Sequence, residues 1–117
     1  MSEQYILVID EGTTGTRALI VDHNSTIKAQ AYTEFTQYHP AADRVEHDAE
    51  EIWQATQKMM QQALSAAGLK PADIAALGIT NQRETTLLWN RHDGRPVHNA
   101  IVWQDRRTAD RCSRIRA

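Results

Sequence analysis

The chain has 117 residues with 13 basic and 15 acidic side chains, which gives a formal net charge of −2. This length fits one ordinary domain or part of a larger one, and the near-neutral charge argues against broad nucleic-acid binding. The single cysteine, Cys112, excludes an internal disulfide and predicts a reducing, cytoplasmic location.

The first third of the chain is predicted to form three short strands joined by turns. The apolar run 5–9 gives the first strand, and it is too short to span a bilayer or to serve as a signal peptide. Residues 18–21 give the second strand, and the third runs from Ile27 toward Phe35. Short connections between three consecutive strands predict an antiparallel meander.

A helix is predicted over residues 49–67. Asp48 offers an N-cap oxygen and Glu51 follows three residues later, which is the spacing of a capping box. Apolar side chains then repeat at helical spacing until Gly68, a suitable C′ residue, and Pro71 prevents the helix from continuing.

The rest of the chain is predicted to contain three further strands, over residues 74–79, 85–89 and 97–103. A second helix is predicted to begin at Asp105 and to be still in progress at the C-terminus, and we interpret its five arginines as a solvated helix face. A strand that follows a crossover helix lies parallel to an earlier strand. The element order therefore predicts an α/β sheet with antiparallel and parallel pairs, and it does not fit a doubly wound dinucleotide fold.

The densest polar segment, residues 10–17, lies between the first two predicted strands. Its glycines let a backbone approach a ligand closely, while its N–H groups and threonine hydroxyls can bind phosphate oxygens. Arg17 can add positive charge, and Asp10 can hold Mg²⁺ directly or through water. No Rossmann or P-loop motif is present, so an ordinary hairpin turn is an equal alternative at this point.

Arg83 and Glu84 follow the predicted strand 74–79 and form a second candidate site. Adjacent Arg and Glu side chains can donate to and accept from neighbouring hydroxyls, as recognition of a polyol requires. Taken alone, the two residues are explained more simply by a surface ion pair.

A metal-dependent nuclease is a third hypothesis. Asp10, Glu11, Asp22 and Glu84 could form a two-metal site, although this would leave the Gly/Thr turn without a role. The five histidines show no metal-ligand spacing with Cys112.

Four segments resemble the N-terminal part of the FGGY carbohydrate kinases, within the actin, hexokinase and Hsp70 ATPase-domain superfamily. They occur in the same order over nearly the whole chain, at residues 9–18, 45–48, 78–86 and 99–108. The Asp-x-Gly-Thr turn marks only the superfamily, whereas Asn-Gln-Arg-Glu-Thr at 81–85 points to members that phosphorylate glycerol rather than pentoses or hexoses. The resemblance implies a ribonuclease-H-like mixed sheet with flanking helices, incomplete here. Residues 1–117 would then form the N-terminal part of the first kinase domain.

The activity implied by the resemblance is transfer of the γ-phosphate of ATP to glycerol, which gives sn-glycerol 3-phosphate and ADP. Asp10 would correspond to the Mg²⁺-associated aspartate. The residues implied in binding the nucleotide phosphates are Gly12, Thr13, Thr14, Gly15 and Arg17. The residues implied in binding glycerol are Arg83 and Glu84, with Trp103 as a wall of the pocket.

The sequence also departs from the family pattern. Glu11 stands where the family commonly has Gln, Gly15 and Thr16 replace two small hydroxyl residues, and Asp43-Arg44 stands where Gly-Trp is frequent. The family's general base and adenine-binding second domain lie further along a longer chain. No catalytic residue is therefore expected within residues 1–117, and this fragment alone is expected to be inactive.

The complete protein is expected to be a cytoplasmic homo-oligomer that binds neither nucleic acid nor membrane. Two alternatives remain at this point. One is a kinase of another polyol or sugar in the same family, and the other is a non-catalytic module that binds a phosphate or a polyol.

Overall fold

The computed structural model describes residues 3–117, which divide into two compact units. Unit 1 comprises residues 3–35 and Ile52–Gln82, and unit 2 comprises Thr36–Glu51 and Arg83–Ala117.

Unit 1 is built on a four-stranded sheet with the order β3-β2-β1-β5. Its strands are β1 (Tyr5–Glu11), β2 (Gly15–Asp22), β3 (Ile27–Glu34) and β5 (Ile74–Asn81). β1 pairs antiparallel with β2, and β2 with β3, so the predicted meander is confirmed. β5 pairs parallel with β1, with Val8 opposite Gly78, as a strand after a crossover helix should.

The apolar core of unit 1 lies between one face of this sheet and the helix α1 (Ala49–Ala67), of which the residues from Ile52 belong to this unit. Alternate residues of β1 and β2 face the helix because successive side chains of a strand point to opposite faces. The buried cluster consists of Leu7, Ala18, Ile20, Met59 and Ala63. At about 2 kcal/mol for each large apolar side chain, this burial is the main stabilising term of unit 1.

The C-terminal end of α1 has the hydrogen bonds of a Schellman motif. Gly68 adopts φ +68° and donates from its N–H to Ser65 O at 3.1 Å, and Leu69 N–H donates to Leu64 O at 2.9 Å. The predicted helix bounds and the role of Gly68 are therefore confirmed.

The N-terminal end of α1 confirms half of the predicted capping box. Asp48 Oδ1 accepts from the backbone N–H of Glu50 at 2.9 Å and of Glu51 at 3.4 Å. The Glu51 carboxylate instead accepts from the N–H and hydroxyl of Thr36, at 2.7 and 2.8 Å. This hydrogen bonding lowers the pKa of Glu51 below its ordinary value.

Unit 2 contains a small antiparallel sheet of β4 (Glu46–His47) and β6 (Ala100–Ile101), together with the helix α2 (Ala109–Arg116). Two isolated bridges, Thr86 with Ile101 and Trp89 with Pro96, extend the strand pairing.

The strands predicted over residues 85–89 and 97–103 are wrong, because the observed strand pairing is much shorter. Only Ala100–Ile101 forms a strand, and residues 85–89 contribute the two isolated bridges. Pro96 has no N–H to donate to a ladder, and residues 97 and 98 bend the chain, so continuous pairing cannot form.

The predicted start of the second helix at Asp105 is also wrong. Asp105 N–H closes a turn on Val102 O at 2.8 Å, and its carboxylate accepts from Arg107 N–H at 2.9 Å. This local hydrogen bonding competes with helix formation, and α2 begins four residues later, after Thr108.

Candidate functional site

The Gly/Thr turn closes the hairpin between β1 and β2. Gly12 N–H donates to Gly15 O at 3.0 Å, and the Gln82 side-chain amide donates to Gly12 O at 3.4 Å. Thr13 is half-buried and Thr14 is exposed at the tip. The four predicted turn residues are thus contiguous at the carboxyl end of β1, where a backbone can present N–H groups to an anion.

Gly15 is required by close packing rather than by an unusual backbone angle. A Cβ at this position would lie 2.3 Å from Thr33 O and 2.7 Å from the Tyr32 hydroxyl. At Gly12 the nearest atom to such a Cβ would be Gly15 O, at 3.1 Å. The sequence predicts that the glycines of the turn let the backbone approach a ligand closely. The structure adds that Gly15 also lets β2 and β3 pair closely.

Asp10 and Arg17 lie directly opposite each other in the β1–β2 ladder, on the sheet face away from α1. The Arg17 guanidinium lies 5.1 Å from the centre of the Tyr32 ring and donates to Gln30 Oε1 at 3.2 Å. Arg17 is thereby held over β3. The exposed Asp10 carboxylate forms no ion pair or hydrogen bond with another side chain among residues 3–117.

The geometry at Asp10 suits Mg²⁺. This ion retains several waters and is commonly held by one or two carboxylates together with substrate phosphates, so a single exposed carboxylate next to a phosphate-binding turn fits it. Within the described residues, no group of three or more His, Cys, Asp or Glu side chains is arranged to hold a metal ion.

Glu11 points toward α1, away from the face that carries Asp10. Its two carboxylate oxygens accept hydrogen bonds from the hydroxyls of Thr16, at 2.8 Å, and of Thr56. Both threonines are buried, so Glu11 links β1, β2 and α1 beneath the turn. This link is not predicted from the sequence, because a glutamate in a polar turn gives no signal that it bonds a helical residue 45 positions away.

In unit 2, Glu84 and Trp103 line one cleft of about 310 Å³, together with Thr86, Ile101, Val102, Asp105, Arg107 and Thr108. This volume lies at the lower end of the range for ligand pockets, which suits a small molecule. Trp103 N–H donates to the Thr85 hydroxyl at 3.3 Å, which joins the two segments that form the cleft. Arg83 is exposed and is not among the lining residues.

Glu84 adopts a left-handed backbone conformation, with φ +65°. A non-glycine residue in this region costs roughly 1–3 kcal/mol and persists only where surrounding structure enforces it. Such strain is common at binding sites, so it supports Glu84 as a candidate functional residue.

A buried ion cluster lies beside the cleft. The Arg107 guanidinium donates to Glu46 Oε2 at 2.7 Å and to both oxygens of Asp105, at 2.8 and 2.9 Å. The Glu46 and Asp105 side chains are 5% and 3% exposed. Hydrogen bonds from Arg107 lower the pKa of both carboxyls and raise that of Arg107. All three groups are therefore charged over the physiological pH range.

The interpretation of the five C-terminal arginines as a solvated helix face is wrong for Arg107, which belongs to the ion cluster. Arg106, Arg111, Arg114 and Arg116 are exposed as expected, whereas Arg107 is only 18% exposed and precedes α2. The sequence around it, one acidic residue followed by two arginines at 105–107, also fits a surface segment.

The structure does not bring together Asp10, Glu11 and Asp22, three of the four residues of the nuclease hypothesis. Asp10 and Glu11 point to opposite faces of β1. Asp22 lies at the far end of β2, where its carboxylate accepts from the N–H groups of Asn24 and Thr26 at 2.9 Å. Among residues 3–117, neither helix is both long and apolar enough to cross a membrane.

Known proteins similar to this chain are carbohydrate kinases. The chain is 57% identical over 118 residues to glycerol kinase of Deinococcus radiodurans and 55% identical over 116 residues to glycerol kinase of Halorhodospira halophila. These alignments cover 100% and 99% of this chain but only 24% and 23% of the relatives. The chain therefore spans about a quarter of the length of these curated relatives.

Solved structures agree with this fold. The crystal structure of Plasmodium falciparum glycerol kinase with ADP matches with a TM-score of 0.87 at 29% identity, covering 97% of this chain and 23% of that one. Gluconate kinase from Lactobacillus acidophilus matches with a TM-score of 0.89 at 22% identity, covering 98% and 23%, which shows the fold alone. The expected mixed sheet with flanking helices, of the actin, hexokinase and Hsp70 ATPase type, is confirmed.

The family resemblance stated from the four motifs is confirmed by a family-level match. The model for the N-terminal domain of the FGGY family of carbohydrate kinases matches residues 5–117. That match spans both units and includes every candidate site residue in the turn and the cleft. The chain belongs to the FGGY family of carbohydrate kinases.

Proposed function

We propose that this chain forms the N-terminal part of an ATP-dependent glycerol kinase, which transfers the γ-phosphate of ATP to glycerol to give sn-glycerol 3-phosphate and ADP. The observation that carries the proposal is the identity of 55–57% to glycerol kinases over 99–100% of the chain. The match includes the segment 81–85, which supplies Glu84 to the cleft of unit 2.

Unit 1 contributes the proposed nucleotide-phosphate contacts. The N–H groups of Thr13 to Gly15 and the hydroxyls of Thr13 and Thr14 donate to phosphate oxygens, which orients the phosphate chain, while Gly12, whose N–H closes the turn on Gly15 O, lets the backbone approach the ligand. Arg17 adds positive charge from the neighbouring strand position. Asp10 would hold Mg²⁺, which when bound neutralises negative charge on the phosphate oxygens.

Unit 2 contributes the proposed glycerol contacts. Glu84 accepts hydrogen bonds from hydroxyl groups and Trp103 provides an apolar wall of the cleft, while Arg83, which is exposed and next to Glu84 in the chain, donates to a hydroxyl from outside the cleft lining. Polar groups at fixed positions in a small cleft select a short polyol, because an unmatched hydroxyl would leave a polar group without a partner.

The test of this proposal is a segment exchange. Residues 1–117 replace the corresponding quarter of Deinococcus radiodurans glycerol kinase, and ADP release is measured with glycerol, xylulose and gluconate as separate substrates. We expect release with glycerol that requires Mg²⁺ and exceeds release with either other substrate. Release with xylulose or gluconate but not with glycerol would overturn the substrate assignment.

Two substitutions in the exchanged enzyme separate the proposed roles. Arg83→Ala is expected to raise KM for glycerol about tenfold or more with little change in KM for ATP. Asp10→Asn is expected to lower kcat and to raise the Mg²⁺ concentration needed for half-maximal rate. Arg91→Ala, an exposed arginine in the same unit as Arg83, is the matched control and is expected to change neither constant.

We further propose a cytoplasmic enzyme that assembles as a homo-oligomer. The free thiol of Cys112 is exposed, which suits a reducing compartment. Size-exclusion chromatography with light scattering on the exchanged enzyme measures the assembly, and a monomer at micromolar concentration would contradict it.

A further inference from the structure

The backbone of the segment that carries Trp103 is fixed by hydrogen bonds. Trp103 itself is 52% exposed. The residue lies in a turn closed by Asp105 N–H donating to Val102 O at 2.8 Å. The turn is anchored at Asp105, whose Oδ2 accepts from Val45 N–H at 2.8 Å.

The ion cluster holds this anchor in place. Arg107 binds Asp105 through Nε and Nη2 and uses Nη2 again for Glu46 in β4. Asn99 Nδ2 also donates to Glu46, at 3.2 Å, and His98 Nε2 lies 4.0 Å from it. The planar guanidinium binds Asp105 through two parallel donors and reaches Glu46 in a fixed direction, whereas an ammonium group has no planar fork for such a bidentate contact.

From this arrangement we propose that Arg107 is a positioning residue of the substrate cleft. Bridging Glu46 and Asp105, it fixes the turn that carries Trp103 and so sets the width of the cleft between Trp103 and Glu84. The proposal rests on the proposed function for the nature of the ligand, a short polyol. Buried ion clusters contribute little net stability compared with apolar residues, so a positional role explains why three charges are placed here.

The direct test uses the 117-residue chain and the Trp103 indole N–H signal in proton–nitrogen NMR spectra, assigned with Trp103→Phe. Arg107→Lys keeps the positive charge near both carboxylates but removes the planar fork. We expect the indole signal to shift and broaden in Arg107→Lys. Arg106→Lys, a change in the adjacent exposed arginine, is the matched control and should leave the signal unchanged.

The second test uses the exchanged enzyme. Arg107→Lys is expected to raise KM for glycerol about tenfold, since a displacement of about 1 Å in a positioning element has effects of this size or larger. KM for ATP should remain within about twofold, and Arg106→Lys should match the parent. Glu46→Gln, which keeps an acceptor for Arg107, is the milder second variant if Arg107→Lys does not fold.

The outcomes separate the two proposals. An unchanged indole signal in Arg107→Lys, or KM values for glycerol and ATP that rise together with a lower Tm, would overturn the positioning role. An inactive exchanged enzyme without substitutions would overturn the proposed function, while the NMR result would still decide the role of Arg107.

Discussion

The two units of the chain are stabilised by different kinds of burial. Unit 1 buries a cluster of apolar side chains between a four-stranded sheet and α1. In unit 2 the buried residues include the titratable Glu46 and His47 beside the apolar Ala100 and Val102, and its strands are two residues long. Apolar burial is insensitive to pH, whereas buried charge depends on protonation, so the units should respond differently to the same perturbation.

The largest expected effect comes from the close packing of unit 1. Gly15→Ala places a Cβ against the backbone oxygen of Thr33, which cannot move without disturbing the β2–β3 ladder. We expect a loss of about 3 kcal/mol or more in the free energy of unfolding, measured by urea denaturation. Gly78→Ala is the control, because its Cβ would meet only Val8 Cγ2 at 4.0 Å. Equal losses in both variants would contradict the packing explanation.

Acid is expected to open unit 2 before unit 1. The pKa values of Glu46 and Asp105 are lowered in the fold by hydrogen bonds from Arg107, and that of Glu51 by the N–H of Thr36. A carboxyl with a lowered folded-state pKa stabilises the fold above its ordinary pKa, and that stabilisation is lost as the pH falls through the folded-state value. Burial also lowers the pKa of His47, so protonating it below about pH 6.5 adds to the loss.

Hydrogen exchange measured between pH 6 and pH 3 tests this difference. Amides of β4 and β6 should lose protection below about pH 4.5 while those of β1 and β2 keep it. In unit 1, Asp22 has a lowered pKa through the N–H of Thr26, but it lies at a turn outside the apolar cluster. Simultaneous loss of protection in all four strands would show that the units open together.

A smaller effect is expected at the polar link within unit 1. Thr56→Val removes the hydroxyl that donates to Glu11 and leaves that carboxylate with one partner fewer in a partly buried position. We expect a loss of about 1–3 kcal/mol by urea denaturation. Thr56→Ser retains the hydroxyl and should recover most of that loss. A fully stable Thr56→Val variant would mean that the link is dispensable.

The smallest effect is expected from Glu11→Gln. The Thr56 hydroxyl carries one hydrogen but lies within hydrogen-bonding distance of both Glu11 and Ile52 O, at 2.8 Å from the latter. A Gln amide could donate to Thr56, which would then donate to Ile52, so stability should change by less than about 1 kcal/mol. Because one negative charge next to the proposed phosphate turn is removed, the exchanged enzyme with Glu11→Gln should bind ADP more tightly than the exchanged enzyme without it, as measured by calorimetry. Weaker binding would count against phosphate contacts at this turn.

Local sequence signals predicted unit 1 well and unit 2 poorly, for a physical reason. The helix over 49–67 has its own N-cap, apolar period and C′ glycine, and the meander has short turns, so short-range chemistry specifies them. The extent of β6 depends on Pro96, and the start of α2 depends on turn hydrogen bonds of Asp105, whose carboxylate also accepts from Val45 N–H, 60 positions away. Such contacts leave no periodic pattern in the sequence.

The same contrast between local and long-range signals applies to the residues of the candidate site. The turn residues 12–15 could be located from composition alone, because glycine and threonine cluster between two apolar runs. Glu84 was named from its pairing with Arg83 and again through the family resemblance, and Trp103 through the resemblance alone; the structure places both on one cleft. Arg107 and Glu46 were not predicted as partners, since ion pairs between distant segments have no spacing rule.

The backbone angle of Glu84 has a consequence for engineering. Glycine at this position would relieve the strain of φ +65°, so Glu84→Gly is expected to increase the free energy of unfolding of unit 2. It would also remove the carboxylate that the proposed function uses to accept hydrogen bonds from a polyol. Position 84 is thus a point where selection for thermal robustness and selection for ligand recognition favour different residues, and a stabilised scaffold derived from this chain should leave it untouched.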